Sequence, residues 1–468
     1  MAKTYESYKD SGIAWLPQIP QSWNTRRLKD VGFLYGGLTG KSGEDFNVDD
    51  DEDSYMLYIP FTNIFNNSVI NPKQMYKVKI EKGEHQNLVF KDDLLFLMSS
   101  EDYDGVGKPA IIEEQIDNLG LNSFCKGFRV TDNKTLPKYL FYYLSSHISR
   151  EQVRQEAKGF IRINLRQDKL SCCNILVPPF DEQRSIASFL DTKCGEIDSL
   201  ISLQEEMISE LQAYKQSVIT EAVTKGLDPN AKMNCCASRE KNDACISSSE
   251  TQPAIERKFK DSGVEWIGEI PEKWSKDKVF RVFANIGSGT TPKATEDSNF
   301  EGEINWIQSG DINGSIMNSC KNKISQQVLN KYSALKIYKA PFIIVAMYGA
   351  SVGNISVSMI DGCVNQACCV MSDSVHYFDY LFYAIKSAKD YLIYRAEGGG
   401  QPNISQDKLK NLWLPIPPLS EQQAIASYLD DKTSQIDSLI TLKQQKIDEL
   451  KSYKKSIIYE YVTGKKRV

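Results

Sequence analysis

The chain contains PPFDEQRSIASFLD at residues 178–191 and PPLSEQQAIASYLD at residues 417–430, two near-copies of one motif within 468 residues. In each copy a Pro-Pro pair ends the preceding segment, because proline cannot continue a strand or a helix that precedes it. Apolar residues then recur at spacings of three and four, which predicts a long amphipathic helix from about Glu182 to Thr224 and a second helix after the second copy. Asp181 and Ser420 are predicted to be the N-caps of these helices.

Each predicted helix carries one apolar stripe, interrupted by polar residues. The stripes consist of Ile197, Ile201, Ile208, Leu211 and Val218 in the first helix and Ile436, Ile440, Ile447, Leu450 and Ile457 in the second. A helix of this length with a single apolar face needs a partner, and the other copy offers the same stripe. We therefore expect the two helices to pair as a coiled coil. The alternative is that each helix lies on its own globular domain.

A second motif opens each half of the chain, as KDSGIAWLPQIPQSW at residues 9–23 and KDSGVEWIGEIPEKW at residues 260–274. The opening motifs are offset by 260 − 9 = 251 positions and the Pro-Pro motifs by 417 − 178 = 239, so the first insert is about 12 residues longer than the second. In each half, the opening motif and the Pro-Pro motif form a repeated frame, and the sequence between them is an insert that differs between the halves. This arrangement indicates one task performed twice with two specificities.

Each insert region is long enough for an independent domain, and it mixes strand-like runs with one helical piece. KDDLLFLMSS and KAPFIIVAMYG are typical of buried strands, whereas the segments Tyr139–Ser145 and Tyr380–Ser387 are predicted to be helical. The predicted fold class is therefore α+β, with an internal repeat. The predicted organisation is a first domain at 1–180, a first helix region at 181–226, a flexible linker at 227–257, a second domain at 258–419 and a second helix region at 420–468.

Composition excludes several classes of function. The chain has 11 cysteines and three histidines, and it has no CxxC pair, so zinc-ligand spacing is absent and no metal site is predicted. No apolar run is long enough to span a bilayer and no signal peptide is indicated, so we expect no membrane partner and a reducing, cytoplasmic location. The net charge of −5 argues weakly against binding to nucleic acid. However, seven carboxylates and no basic residue lie in residues 43–53, so the rest of the chain is slightly positive.

The catalytic motifs that the chain suggests are incomplete. GGLTGKSG at residues 36–43 lacks the first glycine of a phosphate-binding loop, and GSGTTPK at residues 287–293 does not match that motif either. The segment VPPF resembles an amino-methyltransferase motif, but Val177 and Ile416 stand where a polar residue would hold the target amino group. We therefore predict no catalytic residue, and we regard an independent methyltransferase or nuclease as the less favoured class.

The class of function that remains is recognition of a binding partner, because polar and basic residues cluster where the two inserts differ. Arg, Lys, Asn and Gln side chains are those that read base edges and bind phosphates. The candidate DNA-binding residues are Thr39, Lys41, Lys108, Arg162, Asn164 and Arg166 in the first insert, and Thr291, Lys293, Asn354, Gln401, Asn403 and Ser405 in the second. For any single residue, ordinary loop polarity is the alternative interpretation.

The paired opening motifs, the paired Pro-Pro motifs and the GLTGKS and SGTTPK turns resemble the DNA-specificity subunit of bacterial Type I restriction–modification enzymes. The resemblance spans essentially the whole chain and is duplicated. It implies two target recognition domains of mixed α/β structure, separated by an antiparallel coiled coil with pseudo-twofold symmetry. One departure is the Cys-containing segment at 234–259, which is longer than the family pattern usually allows.

The resemblance also implies a function and partners. A member of this family has no catalysis or cofactor of its own, and each domain reads one half of a split site on double-stranded DNA. It docks two modification subunits, which use S-adenosylmethionine, and through them two restriction subunits that use ATP and Mg²⁺. The alternative function is a tandem coiled-coil adaptor without a role in DNA binding, although divergent inserts within a fixed frame argue against it.

Overall fold

The computed structural model of the chain describes residues 4–13, 15–46, 55–227, 257–293, 300–396 and 402–468. It divides into two compact units, Met1–Glu206 with Lys443–Val468 and Met207–Leu442. Both long helices contribute residues to both units. The predicted linker at 227–257, which contains most of the 234–259 segment, lies outside the described residues except at its two ends, and so does most of the acidic run. The domain boundaries given above stay predictions.

Unit 1 begins with a mixed domain, which is followed by the first long helix. The strands of this domain are β1 (Tyr8–Ile13), β2 (Leu16–Pro20), β3 (Asn24–Arg27), β4 (Gly32–Gly36), β5 (Tyr55–Ile59), β6 (Tyr76–Lys79), β7 (Leu94–Leu97), β8 (Ser99–Ser100), β9 (Pro109–Ile111), β10 (Leu119–Leu121), β11 (Cys125–Val130), β12 (Ile163–Asn164) and β13 (Asn174–Val177). The helices are α1 (Phe61–Asn66), α2 (Pro137–Ser145), α3 (His147–Glu156), α4 (Gln167–Ser171) and the long helix α5 (Phe180–Lys225).

The core of the first domain lies around β7. This strand is buried along its whole length and belongs to a sheet of order β4-β11-β7-β9, while β10, β5 and β6 form a second sheet. Its continuous apolar run suits a strand covered on both faces. Helix α2 buries the rings of Tyr139 and Tyr143 against this part of the unit. The strand predicted in KDDLLFLMSS and the helix predicted at Tyr139–Ser145 are therefore confirmed.

Unit 2 repeats this plan with a larger central sheet. Its strands are β14 (Phe259–Asp261), β15 (Glu269–Pro271), β16 (Ser275–Lys278), β17 (Asn285–Gly287), β18 (Ile304–Ile307), β19 (Ile316–Met317), β20 (Lys323–Ile324), β21 (Phe342–Ala346), β22 (Ile355–Ser358), β23 (Cys363–Val364), β24 (Cys368–Ser372) and β25 (Trp413–Ile416). Its helices are α6 (Val279–Val282), α7 (Gln326–Lys331), α8 (Phe378–Ser387), α9 (Lys389–Tyr394), α10 (Gln406–Lys410) and the long helix α11 (Leu419–Val462).

The core of the second domain is built on β21, which is buried at every residue and lies in a sheet of order β17-β24-β21-β22-β19. Helix α8 packs onto this core. The same core includes Ile219, Ala222 and Val223 from the last turns of α5. The end of the first long helix is therefore part of the hydrophobic core of the second domain. The strand predicted in KAPFIIVAMYG and the helix predicted at Tyr380–Ser387 are confirmed, as is the α+β fold with an internal repeat.

Each domain opens and closes at one pair of neighbouring strands. In unit 1, β3 pairs antiparallel with β13, and the N–H of Leu28 bonds the carbonyl of Cys173 over 2.9 Å. In unit 2, β16 pairs antiparallel with β25, and the N–H of Val279 bonds the carbonyl of Leu412 over 2.9 Å. The chain therefore leaves the repeated frame and returns to it at adjacent points.

The opening motif anchors the start of each long helix. In unit 1 the indole N–H of Trp23 donates a hydrogen bond to the Glu182 carboxylate over 3.1 Å. In unit 2 the indole N–H of Trp274 donates to the Glu421 carboxylate over 3.1 Å. Both indoles are almost fully buried, so each carboxylate satisfies a donor that would otherwise be costly. The two motifs that are repeated in the sequence therefore contact each other in the fold.

The helix pair is antiparallel within unit 1. The Lys454 ammonium lies 2.6 Å from the Asp198 carboxylate, and the rings of Phe189 and Tyr461 lie 4.5 Å apart. Lower numbers on α5 therefore pair with higher numbers on α11. The hydroxyl of Tyr139 also donates to the carbonyl of Val462 over 3.4 Å, which joins the end of α11 to the first domain.

Unit 2 repeats these contacts with the roles of the helices exchanged. The Lys215 ammonium lies 2.6 Å from the Asp437 carboxylate, and Arg257 bridges the Lys225 carbonyl and the Glu421 carboxylate. The ion pair is the repeat of that in unit 1, since 437 − 198 = 239 and 454 − 215 = 239. These exposed ion pairs contribute little energy by themselves, but they set the same register in both units.

The ten residues of the apolar stripes are all buried or half-buried, and none is exposed. The prediction that Asp181 and Ser420 are N-caps is wrong, because the helices begin at Phe180 and Leu419, so the residues before them are Pro179 and Pro418. The N–H of Glu182 already bonds the carbonyl of Pro179 over 2.9 Å, so the second proline initiates the first turn. The carbonyl of Pro179 also accepts from the N–H of Gln183 over 3.0 Å, and the missing N–H of proline costs no helical hydrogen bond at this position.

Across the described ranges, no helix has the length and apolar character needed to cross a membrane. The same residues contain no group of three or more His, Cys, Asp or Glu side chains placed to hold a metal ion.

Candidate nucleic-acid interface

The first Gly-rich turn is braced by side chains from a distant loop. The amide of Gln86 bonds both the N–H and the carbonyl of Thr39, over 3.0 and 2.8 Å. The ammonium of Lys41 is almost completely buried and bonds the Glu84 carboxylate over 2.5 Å. That hydrogen bond lowers the pKa of Glu84 to about 2. The turn is therefore rigid, and Lys41 already has an anionic partner within the protein.

The second Gly-rich turn is held in the same way. The hydroxyl of Thr291 donates to the Gln366 amide oxygen, and the N–H of Lys293 donates to the Tyr332 hydroxyl over 3.2 Å. The turn ends at the last described residue before a gap at 294–299. Both turns are therefore held in place by hydrogen bonds to side chains from elsewhere in their domains.

The residues after the two Val-Gly steps point into the protein. Lys108 donates to the carbonyl of Phe65, and burial lowers its pKa. Asn354 donates to the carbonyl of Ile312 over 3.1 Å and accepts from Lys389 over 3.0 Å. Lys108 and Asn354 therefore tie loops together within their own domains.

Three first-insert candidates, Arg162, Asn164 and Arg166, lie together on one exposed loop. The main chains of Lys158 and Asn164 exchange two hydrogen bonds, of 3.0 and 2.9 Å, which closes the loop as a hairpin. Arg162 lies over the ring of Phe124 at 5.3 Å, and Arg166 bonds Asp168 over 3.0 Å. The side chains of Arg162, Asn164 and Arg166 are exposed, so this loop is the strongest candidate for base contacts in the first domain.

The corresponding loop of the second domain is described only in part. Gln401 lies outside the described residues. Asn403 is exposed, and the hydroxyl of Ser405 caps α10 by accepting from the N–H of Lys408 over 3.2 Å. The main chain is fixed by a bond of 2.7 Å from the N–H of Ile404 to the carbonyl of Met347. Asn403 and Ser405 are thus held beside each other at a domain surface.

Two groups of residues with unusual environments were missed from the sequence. The first is the apolar pair Phe160 and Ile161 at the tip of the exposed loop. The second is Lys386, half-buried beside a cavity of about 380 Å³ between α5, α11 and the second domain. Burial and the nearby Lys215 lower the pKa of Lys386 to about 8. The only sequence signal was a lysine on the apolar side of a predicted helix.

We predict that Lys386→Met stabilises the chain at pH 7. Because the pKa is lowered in the folded state, the unfolded state binds more protons between pH 8 and about 10.4, and stability rises with pH across that window. Below pH 8 the wild type therefore carries the full free-energy penalty for burying the charged ammonium, which is about 3 kcal/mol. The denaturant concentration at the unfolding midpoint should be higher for Lys386→Met than for the wild type at pH 7. The gap between the two midpoints should shrink towards pH 10. The control is Lys446→Met, on an exposed part of α11, whose midpoint should follow that of the wild type at every pH. If the gap between Lys386→Met and the wild type does not change from pH 7 to pH 10, the lowered pKa of Lys386 is contradicted.

The comparisons agree with this architecture. The family model for the Type I restriction modification DNA specificity domain matches residues 20–213 and 271–452. The chain is 26% identical over 480 residues to the putative type I restriction enzyme MjaX specificity subunit of Methanocaldococcus jannaschii, covering 99% of this chain and 97% of that protein. It is 24% identical over 467 residues to the MjaVIII specificity subunit of the same organism, covering 96% and 94%.

A solved chain from work on complex assembly and conformational transition of the type I R-M system has the same fold. It aligns with a TM-score of 0.67 and 17% identity, covering 95% of this chain and 99% of that chain. The comparisons give no support to an adaptor without a role in DNA recognition. Because the family model matches both halves and more than half of all residues, the chain belongs to the family of Type I restriction–modification DNA specificity proteins.

Proposed function

We propose that this chain binds a bipartite DNA sequence in the cytoplasm, with each domain reading one half-site, and that it directs associated modification and restriction subunits to that sequence. One observation carries the proposal. The frame contacts of Trp23 with Glu182 are repeated by Trp274 with Glu421, whereas the exposed loops that the frame holds differ in sequence. Two domains with the same supporting contacts but different exposed loops can bind two different DNA sequences in the same orientation.

In the first domain, direct base contacts are assigned to the exposed hairpin. Arg162 and Arg166 offer guanidinium groups, which form bidentate contacts with guanine, and Asn164 offers an amide, which does the same with adenine. In the second domain the equivalent contacts are assigned to Gln401, Asn403 and Ser405 as a group. Side-chain type at these positions would then decide which bases are accepted.

The remaining candidates are assigned supporting roles. Thr39, Lys41, Thr291 and Lys293 lie on two Gly-rich turns. The N–H groups of Thr39 and Lys293 are bonded within the protein, so single contacts with phosphates are assigned to the other main-chain amides of these turns. Lys108 and Asn354 hold loops in place from inside their domains. Substitution of these residues should therefore weaken binding to all DNA sequences more evenly than substitution in the hairpin.

Docking of the modification subunits is assigned to a repeated apolar surface on the long helices, which we call the docking surface. Its residues are Leu200, Leu203 and Tyr453 in unit 1 and Leu439, Leu442 and Tyr214 in unit 2, all exposed. Every member recurs at an offset of 239, as 439 − 200, 442 − 203 and 453 − 214 show. Large apolar side chains at matched exposed positions indicate two equal sites for two copies of one partner.

Cofactor chemistry is assigned to the partners. S-adenosylmethionine would be bound by the modification subunits, and ATP with Mg²⁺ by the restriction subunits. Val177 and Ile416 occupy the position at which a methyltransferase of the resembling type would need a polar residue, and both side chains are buried. The chain would therefore contribute binding and orientation to the reaction.

The proposal is tested by reconstitution. The purified chain alone should bind duplex DNA and turn over neither S-adenosylmethionine nor ATP. Methyl transfer to DNA, followed with labelled S-adenosylmethionine, should appear only when the modification subunit is added. Methyl transfer by the chain alone would contradict the proposal, and so would a reconstituted complex that methylates DNA without sequence preference.

A further inference from the structure

The hairpin at residues 158–164 of the first domain, here called the tip loop, is closed and anchored at its base. Two main-chain hydrogen bonds join Lys158 and Asn164, and β12 pairs with β8 directly beneath them. Ile163 is buried, and Gly159 takes a positive φ of 151° at a point where a Cβ atom would strike the carbonyl of Arg162. The position of the tip is therefore fixed by the fold.

This fixed tip carries two large apolar side chains that the protein leaves in solvent. Phe160 is 100% exposed and Ile161 is 86% exposed. Among the described residues, no other exposed large apolar side chain reaches the exposure of Phe160. Burying such side chains is strongly favourable, so a rigid loop that presents both is suited to a surface that covers them.

The surroundings of the tip indicate the chemistry of that surface. Lys158 and Arg162 are exposed on the tip loop, and Arg166 is exposed two residues beyond it. Arg162 lies over the ring of Phe124, itself 55% exposed. Asp168 bonds Arg166, and the acidic residues Glu101 and Asp102 directly follow β8 at the base of the loop, so the exposed cations lie on the tip side. An apolar tip flanked by cations matches duplex DNA. The phosphates of DNA are negatively charged, and the stacked base pairs between them offer apolar surfaces.

We propose that Phe160 and Ile161 form a wedge that enters a base step of the first half-site and partly unstacks it. This inference rests on the proposed function and adds a reading of DNA deformability to it. Lys158 and Arg162 would bind the phosphates on either side of the opened step, while Asn164 and Arg166 contact neighbouring base edges. Steps that unstack easily, such as TA or CA, would be preferred at that position.

The test compares the reconstituted complex with its Phe160→Ala, Ile161→Ala double variant. The DNA probe is a duplex that carries the bipartite site found by sequencing the methylated bases of wild-type host DNA. Loss of the buried apolar surface should weaken specific binding by roughly 10- to 100-fold. Non-specific binding, and the slope of log K against log salt, should not change, because no charge is removed.

A second measurement reports the wedge directly. 2-Aminopurine placed in turn at each step of the first half-site should brighten at one step with the wild-type complex and stay quenched with the double variant. Phe160→Trp should retain the signal, because a large flat ring is kept. Val375→Ala, which removes an 89% exposed side chain from the second domain, is the matched control and should behave as the wild type.

The outcomes separate the wedge from the proposed function. A wild-type complex without sequence preference would overturn the proposed function. Specific binding that is equal in the wild type and the double variant would overturn the wedge alone. Loss of the modification subunit from the double variant, seen by sedimentation, with no 2-aminopurine signal in the wild type, would show that the tip binds a protein partner and would also overturn the wedge.

Discussion

Exchange of Leu28–Cys173 for the corresponding segment of another family member is expected to change one half of the methylated sequence and to leave the other half unaltered. The segment begins and ends at neighbouring points, because the Leu28 N–H bonds the Cys173 carbonyl where β3 pairs with β13. A new insert that keeps this strand pair can therefore replace the old one without moving the frame. Contacts of Trp23 with Glu182 lie outside the exchanged segment and are preserved.

Sequencing of methylated DNA from hosts that carry the parent and the exchanged chain measures the result. Methylation of the parent site should fall from nearly complete to none, since each mismatched base pair costs about 1–3 kcal/mol and several would mismatch at once. The reciprocal exchange of Val279–Leu412 is the matched control and should change the other half only. A change in both halves after one exchange would refute independent reading by the two domains.

Disruption of the docking surface is expected to remove modification subunits one at a time. With Leu200→Ser and Leu203→Ser, the chain should bind one modification subunit, and addition of Leu439→Ser and Leu442→Ser should leave none. Each leucine that is buried in an interface contributes about 1.5–3 kcal/mol, so two substitutions weaken each site by roughly a thousandfold. Sedimentation of the reconstituted complex measures the stoichiometry, and methylation should be lost with the second modification subunit.

The matched control uses the opposite flank of the same helix. Glu205 is exposed and lies about half a turn from Leu200 and Leu203 at 3.6 residues per turn. Glu205→Ser with its repeat Gln444→Ser should leave assembly intact. Equal weakening by the control pair, or simultaneous loss of both modification subunits after substitution in one unit, would contradict two independent docking sites.

The frame was predictable from the sequence because the apolar residues of its helices recur periodically and its motifs occur twice. The stripe that contains Ile197 and Ile201 predicted the long helix, and the segments around β7 and β21 predicted the buried strands. The helix start was wrong by two residues, since whether a proline ends one element or begins the next depends on geometry that single-residue preferences do not resolve.

The candidate site was less predictable, because its contacts join residues far apart in the chain. The sequence predicts that Lys41 contacts phosphate, yet its ammonium is paired with Glu84, which comes from another loop 43 positions away. Lys108 is tied to Phe65 in the same way. Phe160 was overlooked because an apolar residue is ordinarily assigned to the interior, and only the fold shows that it is exposed.

The division of unit 1 between the two ends of the sequence has a consequence for biosynthesis. Its first domain emerges from the ribosome early, but the contacts of Tyr139 with Val462 and of Phe189 with Tyr461 form only after residues 443–468 have been made. The usual order, in which the N-terminal domain is completed first, is therefore reversed here. Unit 2 can close while unit 1 still waits for its last helical turns, so a ribosome that stops between Leu442 and Val468 releases a chain in which unit 1 is the unfinished one.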